Sequence, residues 1–104
     1  MYARVMSAEV NPKRIEEVEQ LQALGESLCS NAAAQSGNCG FFGLFDRSTG
    51  RVMTVTLWAT PQDLEASESS GYLRQQVADV QAFLGGPVVR ETFEVIAHRE
   101  HAAD

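Results

Sequence analysis

The sequence predicts a single α+β domain whose four strands and two helices follow the order βαββαβ. Its 104 residues are near the usual size of one domain, and a hydrophobic content of 44% is enough for one core. Two segments with helical periodicity separate runs that alternate with period two, and no linker or internal repeat divides them. We therefore treat residues 1–104 as one domain with a solvated tail at 98–104.

The first strand and the first helix follow one another at the start of the chain. The run from Tyr2 to Val10 is rich in β-forming and small residues. Asn11 and Pro12 then provide an N-cap and a first-turn proline, so we predict a helix from there to about Gln35. Its apolar stripe is predicted to comprise Ile15, Val18, Leu21, Gly25, Leu28, Cys29 and Ala32.

A β-hairpin is predicted after the break at 36–40. The segments 41–45 and 51–59 have the residues of two strands, and 46–50 has the composition of the turn between them. On the first strand Phe41 and Phe45 alternate with Phe42 and Leu44. On the second strand Val52, Thr54, Thr56 and Trp58 alternate with Met53, Val55 and Leu57. Both faces of each strand are therefore largely apolar.

The second helix is predicted to begin at an N-cap and to be interrupted once. Thr60 and Pro61 resemble an N-cap followed by a proline at the first helical position. Gly71 is predicted to interrupt the helix, and the Gly-Gly-Pro run at 85–87 ends it. After Gly71 the core side is predicted to hold Leu73, Val77, Val80 and Leu84. The last strand, 88–97, alternates Val88 and Ile96 with Val89, Phe93 and Val95.

This element order is the split βαβ pattern of ferredoxin-like domains, a four-stranded antiparallel sheet with both helices on one face. Two helices cover only one face, and an antiparallel sheet with one wet face normally alternates apolar with polar residues. Because these strands are apolar on both faces, we predict a homodimer formed through the second face of the sheet. The alternative is that threonines make the second face less apolar and that this face stays exposed to solvent.

The charge and the cysteines limit the partners. With 14 acidic and 8 basic residues, the net charge of −6 repels phosphate backbones, so we expect no nucleic-acid partner. No apolar stretch approaches the length of a membrane span, and we expect a cytoplasmic protein without membrane attachment. Cys29 and Cys39 are then thiols, Cys29 a small buried hydrophobe and Cys39 a more exposed residue.

Four segments carry a resemblance to a known family. They are Gly40–Leu44 after the first helix, Asp46–Gly50 at the hairpin, Val55–Thr60 leading into the second helix, and Glu94–Val95 in the last strand. Together they resemble the antibiotic-biosynthesis-monooxygenase-like family of the dimeric α/β-barrel superfamily, over nearly the whole chain. The resemblance implies two ferredoxin-like units that pair their sheets, with any ligand held between sheet and helices.

The resemblance also implies two activities, of unequal fit. One is cofactor-independent oxygenation of phenolic polycyclic substrates, for which Trp58 matches the family's strand tryptophan. The family's asparagine four residues before it is Thr54 here, and the helix tyrosine six residues after it is Leu64. The other activity is haem degradation, which fits least because the second helix has no histidine and the first strand offers only Ser7 or Ala8 in place of an asparagine. We therefore expect no cofactor.

The predicted ligand site is an apolar pocket with a few polar groups. Its candidate substrate-binding residues are Thr54, Thr56, Trp58, Tyr72, Gln76 and Phe83. The Trp58 N–H and the Tyr72 O–H are suited to orient a phenolic ligand. The alternatives are plain core packing for Trp58 and a solvated edge position for Tyr72 and Gln76.

Catalytic candidates are few. Trp58 and Asp79 are the candidates within the fold, with the partner's His101 as a further base by elimination. His98 and His101 lack a third ligand, so we predict no metal site and assign them to the solvated tail.

Two functions remain open. One is a cofactor-independent monooxygenase of a phenolic or polyketide-like aromatic substrate, and the other is a non-catalytic dimeric small-molecule-binding or assembly protein.

Overall fold

The computed structural model describes residues 1–11 and 18–99 of the chain. Within them, the elements in chain order are β1 (Tyr2–Glu9), α1 (Val18–Ala33), β2 (Asn38–Asp46), β3 (Arg51–Trp58), α2 (Pro61–Ser69), α3 (Tyr72–Val80), a 3-10 turn (Gln81–Phe83) and β4 (Val89–Glu94). The predicted βαββαβ order is confirmed, with the second helix divided in two. Among the described residues, no helix combines the length and the apolar character needed to cross a bilayer.

The strands form one antiparallel sheet in the order β2-β3-β1-β4. β1 is therefore a central strand, paired along most of its length with both β3 and β4. Arg4, for example, lies opposite Thr56 on one side and Thr92 on the other. This is the ferredoxin-like sheet that the sequence predicts.

The helices lie on one face of this sheet, which we call the covered face. It carries Arg4 of β1 and the residues Thr56 and Trp58 of β3, and α2 and α3 contact it through Ser67 and Tyr72. α1 packs chiefly against β2. The predicted alternation of β2 and β3 between two faces is thus confirmed.

The opposite face, the open face, has no helix over it among the described residues. Large apolar side chains at its two edges are about half exposed, namely Phe42, Leu44, Val89 and Phe93. Between them, Val5 and Val55 of the central strands are half-buried and lie opposite each other. A soluble monomer rarely exposes so many large apolar groups on one surface.

Local signals account for the joints between elements. Thr60 Oγ1 accepts a hydrogen bond from the Asp63 backbone N–H at 3.1 Å, with Pro61 at the first helical position, so the predicted N-cap of α2 is confirmed. Gly71 has a φ of 90°, a left-handed conformation that favours glycine, and it separates α2 from α3 as predicted. In the hairpin turn, hydrogen bonds from Ser48 lower the pKa of the Asp46 carboxyl.

Two strand boundaries differ from the prediction by three residues because pairing decides them, and the other differences are of one residue. β2 begins earlier, at Asn38, since Asn38 pairs with Trp58 and its side-chain amide donates to the Leu57 carbonyl at 3.3 Å. β4 ends earlier, at Glu94, since Glu94 lies opposite Tyr2, the first residue of its partner strand. Beyond that point Val95 still donates its backbone N–H to the Met1 carbonyl at 2.9 Å, but the ladder does not continue.

The amphipathic character of α1 is confirmed in part. Leu28 and Ala32 of the predicted stripe are buried, and the helix ends at Ala33. The predicted helix start, including Ile15, lies within 12–17, outside the described residues. The prediction that Cys29 is buried is wrong: its thiol is exposed, because it borders an open groove between α1 and β2. Cys39 is exposed as expected.

Candidate functional site

A buried arginine distinguishes the covered face. The Arg4 side chain is 0% exposed, although it lies on the central strand of the sheet. Its Nη1 donates to Ser67 Oγ of α2 at 2.7 Å, and Ser67 Oγ donates onward to the Leu64 carbonyl at 2.6 Å. Nε and Nη2 of Arg4 have no hydrogen-bond partner among the described residues. Buried donors without partners are rare, and burying them costs free energy. The edge of the guanidinium that carries Nε and Nη2 is therefore a candidate functional group.

The charge of Arg4 is only partly balanced. Glu68 Oε1 lies 3.7 Å from Nη1 of Arg4 and 3.7 Å from Nη1 of Arg90, so one carboxylate is shared by two guanidinium groups at more than hydrogen-bond distance. Burial lowers the pKa of Arg4, and Glu68 opposes that shift. Since an arginine in a protein stays protonated at neutral pH, the three groups together carry excess positive charge.

Trp58 forms the floor of the site. It is fully buried, and the Arg4 Cζ atom lies 5.2 Å from the centroid of its ring, within cation–π range. Its Nε1 donates to Thr56 Oγ1 at 3.0 Å, and Thr56 Oγ1 lies 3.4 Å from the Arg4 carbonyl, to which it donates. The indole N–H suggested as a ligand donor is therefore bonded within the protein.

Tyr72 and Gln76 lie one turn apart on α3 and complete the cluster. The Tyr72 ring meets Trp58 edge-on, with centroids 6.2 Å apart and planes at 69°. Gln76 is 5% exposed, so the solvated edge position weighed for it is wrong. The break at Gly71 lets α3 restart with this side toward the sheet. The Tyr72 hydroxyl and Gln76 Oε1 have no hydrogen-bond partner in the described part of the chain.

The protonation of Tyr72 follows from its surroundings. Burial raises the pKa of its hydroxyl, and the neighbouring positive charge of Arg4 opposes this shift without cancelling it. The hydroxyl is therefore protonated at neutral pH and can donate a hydrogen bond. We name Arg4, Trp58, Tyr72 and Gln76 the polar cluster.

Three spaces lie on the helix side of the sheet, and residues of the polar cluster border two of them. A partly open cavity of about 50 Å³ between sheet and helices is bordered by Thr54 and Gln76. An apolar groove of about 500 Å³ runs between α1 and β2 and also includes Thr54. A third space, the α1–α3 groove of about 470 Å³, is bordered by Tyr72 and Gln76. Leu28 borders all three, so the apolar groove and the polar cluster approach each other at this residue.

The predicted site residues fall into two groups. Those on the covered face, near the polar cluster or the cavity, are Thr54, Thr56, Trp58, Tyr72 and Gln76. The other two differ in position. Phe83 lies at the far end of β1, where its carbonyl accepts from the Asn11 backbone N–H at 2.7 Å. Asp79 borders the α1–α3 groove together with Tyr72 and Gln76, and its exposed carboxylate accepts from Gln75 Nε2 at 2.8 Å.

Sequence reasoning missed Arg4 and Ser67. The signal for Arg4 is its position in the alternation of β1, because side chains two residues apart lie on the same face. Arg4 therefore shares a face with Tyr2 and Met6, on a strand that the ferredoxin-like order makes central. A charge on the covered side of a central strand must be paired or functional. Ser67 gives no comparable signal, because only the folded chain brings it to Arg4.

Metal binding has no support in the part of the chain that the structure describes. Across residues 1–11 and 18–99, no three or more His, Cys, Asp or Glu side chains come together as metal ligands. His98 is exposed, and His101 lies outside the described residues.

Comparison with known proteins identifies the fold. No protein-family model and no curated protein sequence matches the chain. Among solved structures, SnoaB, a cofactor-independent oxygenase from Streptomyces nogalater, is similar with a TM-score of 0.71 and 13% identity, covering 93% of this chain and 94% of that one. A Nitrosomonas europaea protein assigned as an antibiotic biosynthesis monooxygenase gives a TM-score of 0.72 at 15% identity, covering 93% and 100%.

A second Nitrosomonas europaea protein, of unknown function, gives a TM-score of 0.73 at 20% identity and covers 98% of this chain and 95% of its own. The similarity thus extends over nearly the whole chain. The protein has the antibiotic-biosynthesis-monooxygenase-like fold that the sequence segments suggested.

Proposed function

We propose that the protein is a cofactor-independent monooxygenase that acts on a phenolic or polyketide-like aromatic substrate. The observation that carries the proposal is the largely apolar groove of about 500 Å³ between α1 and β2, which meets the spaces bordered by the polar cluster at Leu28. This volume lies in the range of small-molecule sites, which are mostly apolar with a few polar groups. The oxygenase named among the structural neighbours supports the reaction type.

The reaction needs no external reductant. When the methylene group of an aromatic ketone is oxidised to a carbonyl, the substrate supplies all the electrons that reduce dioxygen. One oxygen atom of the dioxygen enters the substrate and the other becomes water. The substrate first loses a proton to the solvent, and its electron-rich carbanion then reacts with dioxygen to form a peroxide. The peroxide takes up a proton and eliminates water, which breaks the O–O bond and leaves the carbonyl. The protein's part is to bind the aromatic skeleton, to shield the carbanion and to stabilise the anion. Asp79 borders the α1–α3 groove, but its carboxylate is exposed and bonded to Gln75, so we assign it no role as the base.

We further propose that two copies pair through the open face. The large side chains Phe42, Leu44, Val89 and Phe93 on that face are about half exposed. A two-fold dimer would remove this apolar surface from water and leave the covered face of each copy to its own ligand. The extent of the exposed patch supports this pairing, and sedimentation tests it.

Oxygen consumption with anthrone-type substrates tests the activity. We expect consumption above the spontaneous rate, and we expect Gly25→Leu to abolish the excess. Gly25 borders the apolar groove. Within the part of the chain that the structure describes, nothing beyond its own helix backbone lies within 4 Å of a Cβ at this position, so the leucine would extend into open groove space. The helix itself should gain stability from the loss of a glycine.

Ala23→Leu is the matched control. Ala23 lies on the exposed side of the same helix, so a leucine there adds the same bulk outside the groove. An unchanged rate in Gly25→Leu, or an equal loss in Ala23→Leu, would argue against the groove as the substrate site. Consumption no faster than the spontaneous rate would exclude the monooxygenase.

The second candidate is a non-catalytic binding protein with the same groove. Trp58 is the protein's one tryptophan, so its fluorescence reports on an aromatic ligand bound nearby. Quenching that saturates with ligand, together with oxygen consumption at the spontaneous rate, would favour this candidate. A purely structural assembly module should give neither signal.

A further inference from the structure

We propose that the free edge of Arg4 is an anion subsite for a planar ligand group that presents two adjacent oxygen atoms. Such a group is a carboxylate, or an ionised hydroxyl beside a carbonyl. The inference deepens the proposed function and rests on it only for the aromatic skeleton of the ligand.

The two unpartnered donors of Arg4 form a matched pair. Nη1 is the nitrogen that contacts Ser67 and Glu68, whereas Nε and Nη2 are without partners among the described residues. Nε and Nη2 are neighbours on one edge of the planar guanidinium, and their N–H bonds point in parallel. That geometry binds two oxygens of one planar anion side by side.

The surroundings favour an anion at this edge. The side chain is 0% exposed, so water does not screen its charge. Glu68 is shared with Arg90 at 3.7 Å from each and therefore neutralises neither fully. An anion at Nε and Nη2 would restore charge balance in the interior and would satisfy two buried donors at once.

Tyr72 and Gln76 extend the recognition. The Tyr72 hydroxyl is protonated, so it can donate to the same anion, while Gln76 Oε1 only accepts and so suits a neutral hydroxyl on the ligand. Both residues border the α1–α3 groove, so a ligand that enters this groove meets the polar cluster at Tyr72 and Gln76. Donors and one acceptor together match an acidic hydroxyaromatic compound better than a neutral hydrocarbon.

A pair of probes that differ only in charge tests the subsite without turnover. Naphthoate and naphthamide share a shape, and calorimetry measures their binding to the full chain. We expect naphthoate to bind about ten- to a hundredfold more tightly, as charge-assisted hydrogen bonds predict. Lawsone, whose ionised oxygen lies beside a carbonyl, is the third probe. Preference for naphthoate or for lawsone identifies which anion the subsite takes, and either supports the proposal.

Three variants make the test specific. Arg4→Met should bring the naphthoate to naphthamide ratio close to one. Arg4→Lys keeps the charge without the paired donors, so it should retain only part of the preference. Arg90→Met is the matched control, because Arg90 is the other cation at Glu68 but is exposed, and it should keep the full ratio.

Equal binding of the two naphthyl probes to the wild-type protein, or no binding of either anion, would overturn the subsite. So would a ratio that Arg4→Met leaves unchanged. The outcomes of this binding test can be distinguished from the outcomes of the oxygen assay. Anion preference without oxygen consumption would retain the subsite and reject the monooxygenase, and consumption without anion preference would do the reverse.

Discussion

The two faces of the sheet are built from the same strands but differ in chemistry. On the covered face a buried arginine, a tryptophan and two threonines lie beneath helices, and several polar atoms lack partners within the described residues. On the open face, Phe42, Leu44, Val89 and Phe93 are about half exposed, with the exposed Glu91 opposite Val5. Because neighbouring residues of a strand point to opposite faces, each strand contributes independently to a ligand site and to an association surface. Substitutions on alternate positions should therefore have separable effects.

The largest effect is expected on the covered face. Trp58→Asp replaces a fully buried aromatic side chain by a carboxyl group without a partner. We expect a loss of about 4 kcal/mol or more in the free energy of unfolding, from the lost packing and the buried polar group. That is a large share of the roughly 5–15 kcal/mol of a typical domain. Circular dichroism during urea titration measures this loss, with Trp58→Phe as the milder control. An unfolding midpoint of Trp58→Asp equal to that of the wild-type protein would contradict the prediction.

A charge on the open face should change association and leave the fold intact. Val55→Lys introduces an ammonium group at a half-buried position in the middle of that face. We expect a dimer of the wild-type protein and a monomer of the variant in sedimentation at micromolar concentration, with similar circular dichroism. Val55→Thr keeps the branched shape and should remain dimeric. A monomeric wild-type protein would refute the comparison between the two faces.

Removal of the buried charge should cost little stability. Arg4→Met fills similar space without the desolvation cost of the guanidinium, and Glu68 keeps Arg90 as its partner. We expect a free energy of unfolding within about 1 kcal/mol of the wild-type value, or higher. Urea denaturation measures it. A loss of more than about 2 kcal/mol would show that Arg4 has a structural role, since pairing would then outweigh desolvation.

The smallest expected effect is on the stability of the fold at alkaline pH. The pKa of Tyr72 is raised in the folded state, so its contribution to stability is fully present below the unfolded value of about 10 and is lost as pH rises through the higher folded value. Tyr72→Phe should flatten this alkaline decline and leave stability near neutral pH almost unchanged, because the hydroxyl has no partner among the described residues. Urea denaturation of both proteins from neutral to alkaline pH measures the decline, and an equally steep decline in Tyr72→Phe would contradict the prediction.

Local patterns predicted most of the fold. Period-two alternation located β3 and its two faces, and the side chain of Thr60 marked the start of α2. The ends of β4 and the exposure of Cys29 were missed because they depend on where a neighbouring strand begins and how far a helix stands from the sheet. The resemblance to a family led to the fold, which the solved structures confirm.

The site was less predictable for a physical reason. A strand arginine is usually solvated, and the burial of Arg4 depends on Ser67 and Glu68, which are distant in the sequence, and on the Trp58 ring. Trp58 was identified because a large aromatic residue on a strand indicates burial whatever its partners are. That its indole N–H is bonded within the protein was missed, because the acceptor is Thr56, two residues away on the same face.

The left-handed Gly71 has a consequence for how this domain could be redesigned. It separates two short helices, with the Arg4 partners Ser67 and Glu68 before it and Tyr72 and Gln76 of the polar cluster after it. Among the described residues, nothing other than its chain neighbours lies within 4 Å of a Cβ at this position, so Gly71→Ala would meet backbone strain of about 1–2 kcal/mol and no steric clash. The angle between the two helices is thus an adjustable dimension of the binding site. An engineer could lengthen or stiffen this joint to admit a bulkier ring system while every strand stays in register.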